Sequence, residues 1–79
     1  MNKQLAQKLA SVFRIRESDI NLALTQQDVS SWDSLTQMDL VISLEQEYDI
    51  VLDIDDIVKM TSVSHIVDVL RSKGVIFED

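Results

Sequence analysis

The stretch Trp32-Asp33-Ser34-Leu35-Thr36-Gln37-Met38-Asp39-Leu40-Val41-Ile42-Ser43-Leu44-Glu45-Gln46-Glu47-Tyr48 decides how this chain folds. In it an acidic residue hands over to a serine and then to a strongly apolar pattern. Asp33 suits an N-cap, because its carboxylate can accept from backbone N–H groups that the first helical turn leaves unpaired. Ser34 then stands in that first turn, beside the positive end of the helix dipole. An anionic group carried there as a serine ester would be stabilised. Capping with no further role is the other reading of the same residues.

On an ideal helix, each residue advances by about 100°. With Leu35 at zero, Leu40, Leu44 and Tyr48 fall near ~140°, ~180° and ~220°, and Val41, Met38, Ile42 and Leu35 continue round to ~360°. An apolar arc of roughly 220° exceeds the ~100° stripe that one core contact requires. Leu40, Val41, Leu44 and Tyr48 are assigned to the core side. Leu35, Met38 and Ile42 form a second side close to Ser34, as a docking surface or as the mouth of a cavity for an apolar cargo. The alternative is that all seven are buried. Asp39, Glu45 and Glu47 give the apolar patch an acidic rim.

Around this helix, 79 residues make one domain, 1–79, with a small core. The absence of cysteine removes disulfides and thiolate metal sites and suits a reducing compartment. No apolar run reaches spanning length, and no basic-then-apolar leader opens the chain, so a cytoplasmic protein that neither crosses nor binds a membrane is expected. Net charge is −7, unevenly spread. Glu17 to Val58 holds eleven acids and no Lys or Arg, whereas the flanks hold seven bases and three acids. An acidic middle argues against nucleic acid and for partners with basic patches; a merely solvating face is the alternative.

Helix one is expected over Lys3 to Phe13, capped by Asn2, with Leu5, Leu9, Val12 and Phe13 at helical spacing beside Ala6 and Ala10. From Arg14 to Asp33 no period is sustained. This is a long loop pinned by Ile15, Ile20, Leu22, Leu24 and Val29, with one helical turn near Glu17 to Ile20. Ile50-Val51-Leu52 reads as an extended connection, since a single strand has nothing to pair with. Asp53 or Asp55 caps a short third helix to about Met60, with Ile54, Ile57, Val58 and Met60 turned inward. The acids there lack the glycine and distant glutamate of a calcium loop, so no metal site is assigned. Thr61 or Ser62 caps a last helix striped by Val63, Ile66, Val67 and Leu70, and Gly74 suits its left-handed end, where Val75 folds back on Leu70. The expectation is an all-α, small four-helix bundle with a long first loop and a short third helix.

Catalysis is not expected. A nucleophilic Ser34 needs a base, and the one histidine, His65, lies on another helix with no nucleophile-elbow sequence around the serine. One glycine cannot build a phosphate loop. Ser34 reads as a residue that another enzyme modifies.

Asp33-Ser34-Leu35 opening an acidic, Leu-rich helix resembles the acyl carrier proteins, four-helix bundles built on an Asp-Ser-Leu motif. The likeness spans nearly the whole chain. Leu44-Glu45-Gln46-Glu47-Tyr48-Asp49-Ile50 is similar to the family's Leu-Glu-Glu-Glu-Phe-Asp/Gly-Ile segment, and a short third helix and a Thr/Ser-Val start to the fourth follow. The resemblance implies that a phosphopantetheinyl transferase (holo-carrier synthase) esterifies Ser34 with 4′-phosphopantetheine from coenzyme A. Asp33 and Leu35 would flank the attachment point, and the arm's thiol would carry acyl thioesters. Met38, Asp39, Ile42, Glu45, Glu47, Asp55 and Asp56 would meet the transferase and acyl-transferring and synthase enzymes with basic patches. A monomer is expected.

Departures from the pattern bear on the role. Thr36 and Gln46 stand at positions that are often acidic in fatty-acid carriers, Trp32 precedes the motif, and Asp53 stands where proline is common. These leave two kinds of pathway open, housekeeping fatty-acid synthesis and a specialised one (polyketide, modified sugar or lipid, or aminoacyl). An aminoacyl or D-alanyl type of carrier is one alternative. An unmodified helical interaction module is the other.

Overall fold

The computed structural model describes residues 1–77, which measure 28 × 28 × 19 Å along the principal axes. Four α-helices are present among them: α1 (Lys3–Phe13), α2 (Ser34–Tyr48), α3 (Ile54–Lys59) and α4 (Val63–Ser72). No helix is long and apolar enough to cross a membrane. The turn expected near Glu17 to Ile20 is a single 3₁₀ turn at Glu17–Asp19, and a second one at Gln26–Asp28 has no periodic signal in the sequence.

Each helix begins where a short polar side chain meets orphan N–H groups. Asn2 accepts from Leu5 N–H at 2.9 Å, Asp33 from Thr36 N–H at 2.9 Å, Asp53 from Asp56 N–H at 2.9 Å and Ser62 from His65 N–H at 3.1 Å. In α3 the cap is reciprocal, because Asp56 accepts in turn from Asp53 N–H. Three of the four helices end in left-handed backbone, α3 being the exception. Arg14 and Asp49 adopt it after α1 and α2, and Gly74, at φ 92°, supplies it beyond α4 without a Cβ to strain.

The long loop is fixed by the chain it crosses. Val63 N–H donates to Leu24 C=O at 2.9 Å and Ser64 N–H to Leu22 C=O, while Gln26 N–H donates to Thr61 C=O. Loop carbonyls thus satisfy first-turn donors of α4, which that helix cannot satisfy itself.

The core gathers Leu5, Leu9 and Phe13 of α1, Leu40 and Leu44 of α2, Met60, and Val63, Ile66 and Leu70 of α4, all fully buried. Burying side chains of this kind contributes about 1.5–3 kcal/mol each, which is how so short a chain keeps a fixed fold. Val41 is buried with them and Tyr48 packs at the margin, so the core side assigned to α2 is the one observed. One expectation for α3 fails. Ile57 is partly buried and Met60 fully, but Ile54 is 77% and Val58 69% exposed. The six-residue helix is tied to α2 near its C-terminal end and covers the core only with Ile57 and the Met60 that ends it. At the other pole the tail folds back, with Val75 N–H on Leu70 C=O and the Phe77 ring edge-on to Tyr48 at 6.0 Å.

Candidate functional site: the start of α2

Asp33 holds the start of α2 in a fixed state. Its backbone is extended, and its carboxylate takes the Thr36 N–H, while Gln37 N–H takes its carbonyl at 2.8 Å. The Thr36 backbone N–H, then the Thr36 hydroxyl, hold the Asp33 carboxyl below the ordinary aspartate range; nearby Arg14 adds to this. One orphan donor of the first turn, the Thr36 N–H, is thereby used, whereas the Gln37 bond is the first regular bond of the helix; the N–H groups of Ser34 and Leu35 are left. Ser34 is exposed, and its hydroxyl has no hydrogen-bond partner among the described residues. No base reaches it. His65 is exposed on α4, with its Nδ1 3.3 Å from the Thr61 hydroxyl.

Beneath this surface the chain is locked. Trp32, which the sequence left as an odd neighbour of the motif, is 3% exposed and stacks on Phe13 with ring centroids 4.3 Å apart. Its indole N–H donates to Gln37 Oε1 at 2.6 Å, and Gln26 Nε2 donates to its carbonyl. Ser31 donates its hydroxyl to Phe13 C=O, tying the loop to the end of α1. Ser34 therefore stands on a rigid platform, the condition for presenting one atom repeatedly to different enzymes.

The second side of α2 is open. Leu35 is 80% exposed, and Met38 and Ile42 are each half exposed, which removes the alternative that all seven apolar residues are buried. A shallow groove runs from Ser34 past Gln37 and Met38 to Ile57, Val58 and Thr61. Val58 and Ile54 extend the apolar surface onto α3. Reading all of α3's apolar residues as core had hidden them.

The acidic rim is smaller than the sequence suggests. Asp39 and Asp55 are exposed, and their carboxylates make no hydrogen bond or ion pair among the described residues. Glu47 instead faces α1, where it pairs with Lys8 at 3.2 Å and accepts from Gln4; the Gln4 hydrogen bond, then Lys8, lower its pKa. Glu45 accepts from Leu52 N–H at 2.9 Å and anchors the α2–α3 connection. Asp56 pairs with Lys73 at 2.7 Å, and that contact, followed by the Asp53 N–H, lowers its pKa. Three residues assigned to partners thus have their carboxylates engaged within the fold.

Residues 3–70 match a family model described as a phosphopantetheine attachment site. The chain belongs to this family. As a carrier domain it performs no catalysis of its own, and its prosthetic group is a covalently attached 4′-phosphopantetheine. Membership implies interaction with a phosphopantetheinyl transferase and with acyl-handling enzymes. The fold of the carrier domain matches the solution structure of a holo acyl carrier protein from Geobacter metallireducens at a TM-score of 0.78. The two are 27% identical over 89% of this chain and 80% of that one. None of the curated proteins matches the carrier domain in sequence.

Proposed function

We propose that Ser34 is the residue that bears the 4′-phosphopantetheine, and that this domain carries acyl intermediates as thioesters between the enzymes of a biosynthetic pathway. The observation behind this reading is the unpartnered Ser34 hydroxyl, exposed in the first turn of α2. A phosphodiester at that oxygen lies beside the spare N–H groups of Ser34 and Leu35 and the positive end of the helix dipole. The group supplies a thiol, which a chain without cysteine lacks. Asp33 fixes the helix start, the Trp32–Phe13 stack stiffens it, and the groove toward Val58 gives the arm an apolar bed.

Leu35, Met38 and Ile42, extended by Ile54 and Val58, form the proposed docking surface, with Asp39 and Asp55 as its free charges. So sparse a rim suits a carrier of a specialised acyl or aminoacyl pathway better than a housekeeping fatty-acid carrier. The net charge of −7 opposes self-association and favours a monomer, and the lack of cysteine suits the cytoplasm.

The test is intact-mass analysis after incubation with coenzyme A and a broad-specificity phosphopantetheinyl transferase. One added phosphopantetheine on the wild type and none on Ser34→Ala is the expected result. Modification of Ser34→Ala, or none of the wild type, would overturn the assignment.

A further inference from the structure

An apolar cargo on an arm anchored at Ser34 has two destinations. It can lie outward, over Leu35, Met38 and Val58, or it can enter the bundle through the seam between α2 and α3. One side chain spans that seam. Gln37, partly buried in α2, accepts from the Trp32 indole N–H at 2.6 Å and donates to the carbonyls of Ile57 and Met60, each at 3.2 Å. An indole nitrogen can only donate and a carbonyl can only accept, which fixes the orientation of the amide. Its oxygen and both of its hydrogens all have partners.

The two carbonyls lie at the C-terminal end of α3, where a helix runs short of donors; Ile57 C=O also accepts from Met60 N–H, at 3.2 Å. A helix of six residues does not persist by itself, so its position depends on such ties. Gln37 holds one end, and the Lys73–Asp56 pair holds the first turn. Behind the amide, Trp32 is buried and stacked on Phe13. The groove at Ser34, by contrast, is open to solvent.

We propose that Gln37 is the positioning residue that keeps the α2–α3 seam shut, so that an apolar cargo stays outside the bundle, in reach of water and of partner enzymes. This rests on Ser34 being the attachment point. Entry of a chain would part the amide from both carbonyls and from the indole; Ile57 C=O keeps the Met60 N–H, but the buried Trp32 indole N–H and the Met60 carbonyl lose this partner, which a chain on the outer surface avoids.

The experiment compares thioester hydrolysis for acetyl and tetradecanoyl groups on the holo protein, followed by intact mass. In the wild type the two rates should agree within about twofold, because neither chain is sheltered. In Gln37→Ala the tetradecanoyl thioester should hydrolyse about fivefold more slowly than the acetyl one, with a change in Trp32 fluorescence on tetradecanoyl loading alone. Trp32→Phe keeps a stacking ring but removes the indole donor, and it should shift the ratio in the same direction; circular dichroism verifies that each variant is folded. Protection of the long chain in the wild type, or equal rates for both chains in the folded variants, would overturn the latch while leaving the attachment intact. Failure to load Ser34 at all would overturn the attachment and this inference with it.

Discussion

Two hydroxyls in this molecule sit in opposite environments, with opposite consequences. Ser34 stands in water beside spare backbone donors, so a group added there meets favourable electrostatics and no steric obstacle. The Tyr48 hydroxyl is buried without a hydrogen-bond partner among the described residues. Burial, and then the charge of Glu47, raise its pKa above the ordinary 10.0. An orphan polar atom destabilises the fold, whereas the ring itself packs on Phe77. Tyr48→Phe should therefore stabilise the protein by about 1 kcal/mol, raising the thermal midpoint by about 4–8 °C in a domain of this size. A lower midpoint in calorimetry would mean that the hydroxyl is satisfied. Gln37 makes the same point from the other side, since a partly buried amide is tolerated there with each of its polar atoms paired.

Among the elements, α3 departs furthest from its sequence pattern. Ile54, Ile57, Val58 and Met60 look equivalent in hydrophobicity, yet the helix is tied down at its C-terminal end and only Met60 is fully buried. The difference is measurable. Val58→Ser should change stability by no more than about 0.5 kcal/mol, as for other exposed positions. Met60→Ala should lose about 2–5 kcal/mol through lost burial and the cavity left behind. Urea denaturation separates the two, and comparable losses would mean that α3 packs as its periodicity suggests. Apolar side chains left on this surface at no gain to the fold are what a partner-facing surface requires.

For the whole molecule, the acids fall into two populations. Asp33, Glu47 and Asp56 have lowered pKa values, respectively from the Thr36 N–H, from Gln4 with Lys8, and from Lys73 with the Asp53 N–H. Asp39 and Asp55 stay exposed at the proposed docking surface. Because the first three titrate lower when folded than when unfolded, their stabilisation is complete above the ordinary values of 3.8 and 4.5 and is lost as pH falls through and below them. The thermal midpoint should hold from neutral pH down to about pH 5 and then decline. Lys73→Met removes the main cause of the Asp56 shift and should flatten that decline. An unchanged slope would remove the Asp56–Lys73 pair from the acid response. Comparing the variant with the wild type at each pH isolates the contribution of the pair.

The sequence by itself determined the parts that depend on neighbours along the chain. The bounds of α1, the caps at Asn2 and Asp33, the left-handed Gly74 and the wide apolar arc of α2 all follow from a period of 3.6 residues and from the donors that a first turn leaves unpaired; the choices of Asp53 over Asp55 and of Ser62 over Thr61 as caps came with the structure. The likeness around Asp33-Ser34-Leu35 was legible for the same reason, as it lies in one continuous segment. Only the tertiary structure decided which acids remain free, which α3 side chains stay exposed and what closes the α2–α3 seam. Glu47 meets Lys8, Asp56 meets Lys73 and Gln37 meets the end of α3 across long separations in sequence. No local pattern encodes such distances, because they are set by how the four helices and the crossing loop pack around one small core.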